Sequence, residues 1–187
     1  MYDIAIIGAG PAGSSAAIFA AKAGKKTLVI DSGKGMTQRA WVENHYGINE
    51  IAGPELVETG KKQASKFGAE IVEDSVVNIS SENDVLTVET ETQTFQAKHV
   101  LLATGAFTDL ADKIGLKLVP GTEPRIKNIV EVDENGKTSI NGIWAAGTVA
   151  GVSVHTIVTA GNGAAVAINI ISELNGERYV DHDLLKA

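Results

Sequence analysis

The chain has 187 residues, 44% hydrophobic and 21% charged, a globular balance long enough for one domain with a core of its own. Sixteen Lys and Arg against 23 Asp and Glu give a net charge of −7, the opposite of what a nucleic-acid-binding domain carries. Cysteine is absent, which excludes disulfides, thiolate metal sites, a catalytic cysteine and a redox-active C-x-x-C on this chain.

Tyr2 to Ile7 is a nearly continuous apolar run, the pattern of a strand covered on both faces. It enters Gly8-Ala9-Gly10-Pro11-Ala12-Gly13, and a helix is predicted from about Ala12 to Ala23, stopped at Gly24. Thr27 to Ile30 is a second strand closed by Asp31, completing a β-α-β unit with parallel strands. Residues 32–53 read as a long functional loop. Pro54 then opens a helix with Leu56, Gly60, Ala64 and Phe67 on one face and Lys61 and Lys62 on an exposed one. Residues 69–97 alternate like short antiparallel strands, with a turn at Ser81-Glu82-Asn83-Asp84. Val100 to Ala103 is a buried strand ending in Thr104-Gly105. Residues 107–128 carry little pattern, Asp133 to Gly136 is a hairpin signal, and Ile143 to Ala146 is a final core strand. A last helix is expected from Thr156 to Leu174, with Ala160, Ala164, Ile168, Ile171 and Leu174 inward.

Two segments test for membranes and export. Asp3 sits where a signal peptide carries positive charge. Residues 138–172 hold no charged side chain, but Gly147, Gly151, His155 and Asn162 interrupt them, which favours strand, loop and helix over a membrane span. The expectation is a soluble, cytoplasmic protein with no membrane or nucleic-acid partner.

The glycines at 8, 10 and 13 form G-x-G-x-x-G directly after a strand and at the opening of a helix, with Asp31 at the end of the next strand. Gly8 permits the tight turn, Gly10 lets backbone reach a pyrophosphate, and Gly13 lets helix approach sheet. The helix N-terminus offers free N–H donors to phosphate, and Asp31 can accept from ribose hydroxyls. The motif does not separate FAD from NAD. A second glycine set at Gly161-Asn162-Gly163 reads as helix glycines that permit close approach to a neighbour or ligand.

Several motifs along the chain resemble the low-molecular-weight thioredoxin reductase family. Proline inside Gly8 to Gly13 is typical of these flavoproteins. Val42-Glu43-Asn44 with Gly47 is similar to the V-E-N-x-P-G loop, and Gly53-Pro54-Glu55-Leu56 opens the following helix as in the family. Ala103-Thr104-Gly105-Ala106 resembles the A-T-G-A strand end, and Gly142 to Gly147 the G-x-F-A-A-G-D segment. Thr159 to Gly163 resembles the start of the last helix.

The resemblance implies an α/β fold: a Rossmann-like FAD-binding domain over residues 1–187, with a central parallel sheet, helices and a small antiparallel β-meander. It implies FAD as cofactor. Gly8, Gly10, Pro11, Ala12 and Gly13 would bind the pyrophosphate, Asp31 and Ser32 the ribose end, and the backbone at Val77 the adenine. Asn44 would face the flavin, while Ala103, Thr104 and Gly105 line the cofactor. Gly147 and Thr148 would meet the ribityl and phosphate groups. His155, Thr156 and Ile157 would lie at the pyrimidine edge, where helix N–H groups stabilise a reduced flavin. Arg39 is a candidate phosphate partner, or a solvated loop charge. Trp41 and Tyr46 are candidates to cover the ring.

The four histidines lack metal-ligand spacing, and no metal is expected. His45 and His155 are weak catalytic candidates as proton shuttles; His99 and His182 read as structural or solvated.

Two departures stand out. Thr148 occupies the position where the family has aspartate. Residues 106–142 are too few for the pyridine-nucleotide domain that the family inserts there with its C-x-x-C. The expectation is an FAD domain without an NAD(P)H domain or dithiol: a flavin-dependent oxidoreductase exchanging electrons with diffusing NAD(P)H or a redox partner protein. The alternatives are a non-catalytic FAD-binding sensor or subunit, or an NAD-dependent dehydrogenase. A homodimer is implied by the family, whose members pair through this domain.

Overall fold

In the computed structural model, which describes residues 1–181 and 183–185, the first apolar run is strand β1 (Tyr2–Ile7). His182 lies outside the described residues. Pro11 opens helix α1 (Pro11–Lys22), a position where the missing proline N–H leaves no bond unmade. β2 (Thr27–Asp31) pairs parallel to β1, with Ile7 beside Ile30.

Residues 32–53 are more ordered than a loop. They hold a 3-10 turn at Met36–Arg39 and an antiparallel ribbon of β3 (Trp41–Val42) and β4 (Ile51–Ala52). Two-residue strands are too short to leave a periodic signal. Helix α2 (Gly53–Lys66) buries Gly53, Val57, Gly60 and Ala64; Leu56 is half-buried and Phe67 exposed, against the expected face. Gly60 sets this rotation. A Cβ there would lie 2.7 Å from the Ser14 Cβ, so only glycine lets α2 press on α1.

β5 (Glu70–Glu73) runs parallel to β2 at the sheet edge, not antiparallel as its alternation predicted. A helix between two strands of one sheet favours the crossover arrangement, which makes them parallel. β6 (Val76–Glu82), β7 (Val85–Thr90) and β8 (Thr94–Leu102) form the expected antiparallel meander. Asn83 and Asp84 turn the first hairpin with φ of 51° and 61°, the left-handed pair a tight two-residue hairpin needs. β8 is one continuous strand. Its first half pairs with β7 and its second half lies parallel to β1.

The unpatterned segment contains the short helix α3 (Asp109–Lys113) and an antiparallel pair, β9 (Leu118–Pro120) and β10 (Asn128–Val130). β11 (Ile143–Ala145) returns to lie parallel to β8, and α4 (Thr156–Asn175) closes the fold. The parallel strands therefore run β5-β2-β1-β8-β11.

One face of the sheet packs Ile4, Ile6, Leu101 and Trp144 against the alanines of α1 and against Val166, Ile170 and Ile171 of α4. The other face packs Ala5, Leu28, Val100 and Leu102 beneath the meander and α3. α4 buries Thr159, Gly163, Val166, Ala167, Ile170 and Ile171, so only Ile171 of its expected inward face is buried. The helix is apolar on most sides, which leaves periodicity little to choose from. α4 is long and apolar enough to cross a membrane, with mean hydropathy 1.4, but its Val166–Ile171 stripe is core.

Candidate functional site: a cleft at the sheet edge

Strands β1, β2, β8 and β11 all end at one edge of the sheet. Between β1 and β8 the strand order reverses, because the chain leaves β1 toward β2 and later returns to its other side. Open α/β sheets bind ligands at such a point.

The three motif glycines divide their tasks there. Gly8 has φ +102°, and a Cβ on it would lie 2.5 Å from the Ala103 carbonyl oxygen. At Gly13 a Cβ would lie 1.9 Å from the Gly8 oxygen, so the helix start can approach the turn only without a side chain. Gly10 differs. A Cβ there would meet nothing nearer than the Thr37 hydroxyl at 4.0 Å. Its bare face opens instead onto a cleft of about 270 Å3. Gly10 is also the N-cap of α1; having no side chain, it supplies no cap, and no acidic residue follows in the first turn. The early amides of α1 therefore remain available to an anion.

The cleft runs beside Asp31 and Ser32, with Ser75, Val76, Thr104 and Phe107 on its other walls. Asp31 is buried. Its Oδ1 accepts from the Ala9 N–H at 3.3 Å, and its Oδ2 lies 2.6 Å from the Lys61 ammonium without an aligned hydrogen-bond donor. Lys61 thus leaves the exposed face it was expected to occupy. Burial pulls its ammonium down, but Asp31, with Glu73 and Glu58 behind it, outweighs this and the net shift is upward. Hydroxyls of Thr92 and Thr90 hold the Asp74 carboxyl down to about 2, so the acceptors of the turn after β5 stay charged.

Beyond the glycine loop, β11 leads into Gly147 (φ +79°), where a Cβ would lie 2.9 Å from the Ala12 Cβ. The Gly147 N–H donates to Asn162 Oδ1 at 2.7 Å, so α4 fixes this turn against the start of α1. Thr148 is 9% exposed, and its hydroxyl makes no hydrogen bond among the described residues. His155 is the N-cap residue of α4, with no side-chain cap and no acidic residue in the first turn. His45 Nδ1 lies 3.1 Å from the Thr156 hydroxyl and His155 Nδ1 2.7 Å from that of Ser153. Both histidines named from sequence therefore flank the same helix N-terminus. Asn44 and Ile157 are exposed on this side, while Ala103 is buried and Thr104 and Gly105 half-buried at the end of β8.

Other candidates stand differently. Arg39 is exposed in its 3-10 turn and does not line the cleft, whereas Lys34 does. Val77 is not among the residues lining the cleft, its carbonyl accepting from the Lys113 ammonium at 2.8 Å, whereas Ser75 and Val76 are. Trp41 and Tyr46 are 61% and 93% exposed. Lys34, Ser75, Val76 and the 107–110 turn carry no recognisable motif. Only their positions beside strand ends mark them, and those depend on the fold. A second cavity of about 260 Å3 lies across α1, between α2 and the His45–Ile48 turn.

Fold and cleft together define a Rossmann-type dinucleotide-binding domain. The chain belongs to the pyridine nucleotide-disulphide oxidoreductase family, which it matches over residues 2–126. It is 41% identical over 115 residues to a thioredoxin reductase of Peptoclostridium acidaminophilum, covering 59% of this chain and 36% of that protein. It is likewise 41% identical to the Aquifex aeolicus thioredoxin reductase, covering 57% of this chain and 34% of the relative. The matched stretch thus spans about a third of the length of these curated relatives. Among solved structures, a thioredoxin reductase from Gloeobacter violaceus has the same fold, with TM-score 0.82 and 19% identity over 99% of both chains.

Proposed function

We propose that the chain binds one FAD extended across the sheet edge and acts as a flavin-dependent oxidoreductase or electron carrier. One observation carries this reading. A buried carboxylate at Asp31, the open glycine Gly10 beneath the free amides of α1, and the uncapped N-terminus of α4 follow one another along a single edge. They suit, in turn, a ribose, a pyrophosphate and the electron-accepting edge of a flavin. NAD would leave the third element without a task.

When bound, FAD supplies the redox chemistry. The protein's part is to hold and polarise it. Asp31 accepts from ribose hydroxyls, the amides of Pro11's successors carry phosphate charge, and the Thr156 and Ile157 amides with the α4 dipole favour negative charge on the ring. His45, hydrogen-bonded to Thr156, and His155 are placed to hold or move a proton there.

The segment between β8 and β11 holds only α3 and one short hairpin, and the chain has no cysteine. Electrons then arrive from diffusing NAD(P)H or from a partner protein, with no dithiol on this chain to carry them. Anaerobic addition of NADH and of NADPH to the FAD-loaded protein tests this. Bleaching of the flavin band within turnover times supports a reductase fed by that nucleotide. A band unchanged by both favours a partner-fed carrier or a redox sensor. Sedimentation of the same sample tests the homodimer.

A further inference from the structure

Asp31 lines two cavities, sharing the wall between them with Ser32, Asp74 and Ser75. On one side lies the dinucleotide cleft, and on the other an outer cavity of about 570 Å3. Lys61 lines only the outer one, where Glu58, Glu73, Asp74 and Glu91 make the remaining charged lining entirely acidic. Its side chain is 14% exposed, and that of Asp31 9%. The ammonium stands 2.6 Å from Asp31 Oδ2 and 3.8 Å from Glu73 Oε1.

We infer that Lys61 is a positioning residue for nucleotide recognition, acting through Asp31. This rests on the dinucleotide reading above. A carboxylate this buried needs compensation, and the peptide donor at Ala9 is long. Lys61 supplies the cation and draws Oδ2 outward, which leaves Oδ1 turned toward the cleft as the acceptor for ribose. The reach is a consequence of the neighbouring residue. Gly60 lets α2 settle on Ser14, and the next side chain then extends over the end of β2. Removing the ammonium leaves a buried carboxylate among four others, free to rotate away from the ribose or to repel the nucleotide's phosphates.

The test is a double-mutant cycle on FAD affinity, with ADP and 2′,3′-dideoxy-ADP as competing probes. Lys61→Met is expected to weaken FAD by about tenfold or more, the scale of a lost hydrogen bond to a charged group. Lys61→Arg keeps the charge and retains most of the affinity. In an Asp31→Asn background Lys61→Met has no further effect, because the carboxylate through which Lys61 acts is gone. The wild-type preference for ADP over the dideoxy analogue collapses in Lys61→Met. A residue that merely fastened α2 to the sheet would weaken binding equally in both backgrounds and leave the ribose preference intact. Either that result or full affinity in Lys61→Met overturns the inference. Should Lys61→Met fail to fold, the Arg variant and the uncharged double variant complete the comparison. A wild type that binds ADP but not FAD fails the flavin reading alone, and the cycle is then scored on ADP. A wild type that binds neither overturns both.

Discussion

Two glycines two residues apart in α4 have opposite consequences. At Gly163 a Cβ would lie 2.0 Å from the Ala12 carbonyl oxygen and 2.6 Å from its Cα and carbonyl carbon. Contact becomes ordinary near 3.4 Å, so α4 must lift by about 1.4 Å from α1 in Gly163→Ala. The atoms in the way are backbone and cannot rotate aside. Overpacking of this kind costs about 1–3 kcal/mol, and the rigid obstacle places it at the upper end. Removing glycine from a helix returns about 0.5–1 kcal/mol, for a net loss of about 2 kcal/mol. At Gly161 nothing lies within 4 Å of the added carbon, so Gly161→Ala keeps only the gain. For a chain of this size the apo-protein should unfold about 4–8 °C lower in Gly163→Ala and about 1–4 °C higher in Gly161→Ala, followed by far-ultraviolet circular dichroism. Because Ala12 belongs to the glycine loop, Gly163→Ala should also weaken nucleotide binding. A Gly163→Ala protein at or above the wild-type Tm would refute the close α1–α4 approach.

Three further outcomes are expected. Asn162→Ala removes the acceptor of the Gly147 N–H and should cost about 1 kcal/mol in urea unfolding together with FAD affinity; unchanged values for both would deny it a role in fixing that turn. Thr148→Asp gives the position the carboxylate it lacks and should tighten FAD by about tenfold, so equal or weaker binding in a fluorescence titration counts against it. His99 is the third case. Burial pushes its imidazole below the ordinary 6.5, and Trp144 Nε1 donates to its Nδ1 at 3.1 Å, which requires the neutral ring. The folded state thus binds this proton less readily than the unfolded one. The contribution to stability is complete above pH 6.5 and is lost as pH falls from there through the lower folded value. In a Trp41→Phe protein the Trp144 emission should change with a midpoint below 6.5, and a midpoint at or above that value contradicts the burial argument.

What was legible in the sequence follows how local the cause is. Gly8 to Gly13 and Asp31 could be read because each task there is set within one β-α-β unit. The parallel pairing of β5 could not, since alternation describes a strand's two faces and says nothing about its neighbour. On α2 the expected Gly60 and Ala64 are buried, whereas Leu56 and Phe67 are rotated outward and Val57 takes the inward place. On α4 the rotation is set by Gly163 against Ala12, and a missing side chain adds nothing to a hydrophobic stripe. Lys61 reads as solvated because it adjoins Lys62, whose i,i+4 pairing with Glu58 marks an exposed face, while the contact that matters lies across the fold at Asp31. The 107–128 segment was opaque because its elements are three to five residues long, yet its first turn forms a wall of the cleft.

Whether this sheet edge holds FAD is read from the visible spectrum of the purified protein with and without added FAD. The expected outcome is a yellow protein, or a colourless one that takes up FAD to one equivalent per chain, with uptake sharply reduced in Asp31→Asn. A folded wild type that neither retains nor takes up FAD would contradict it.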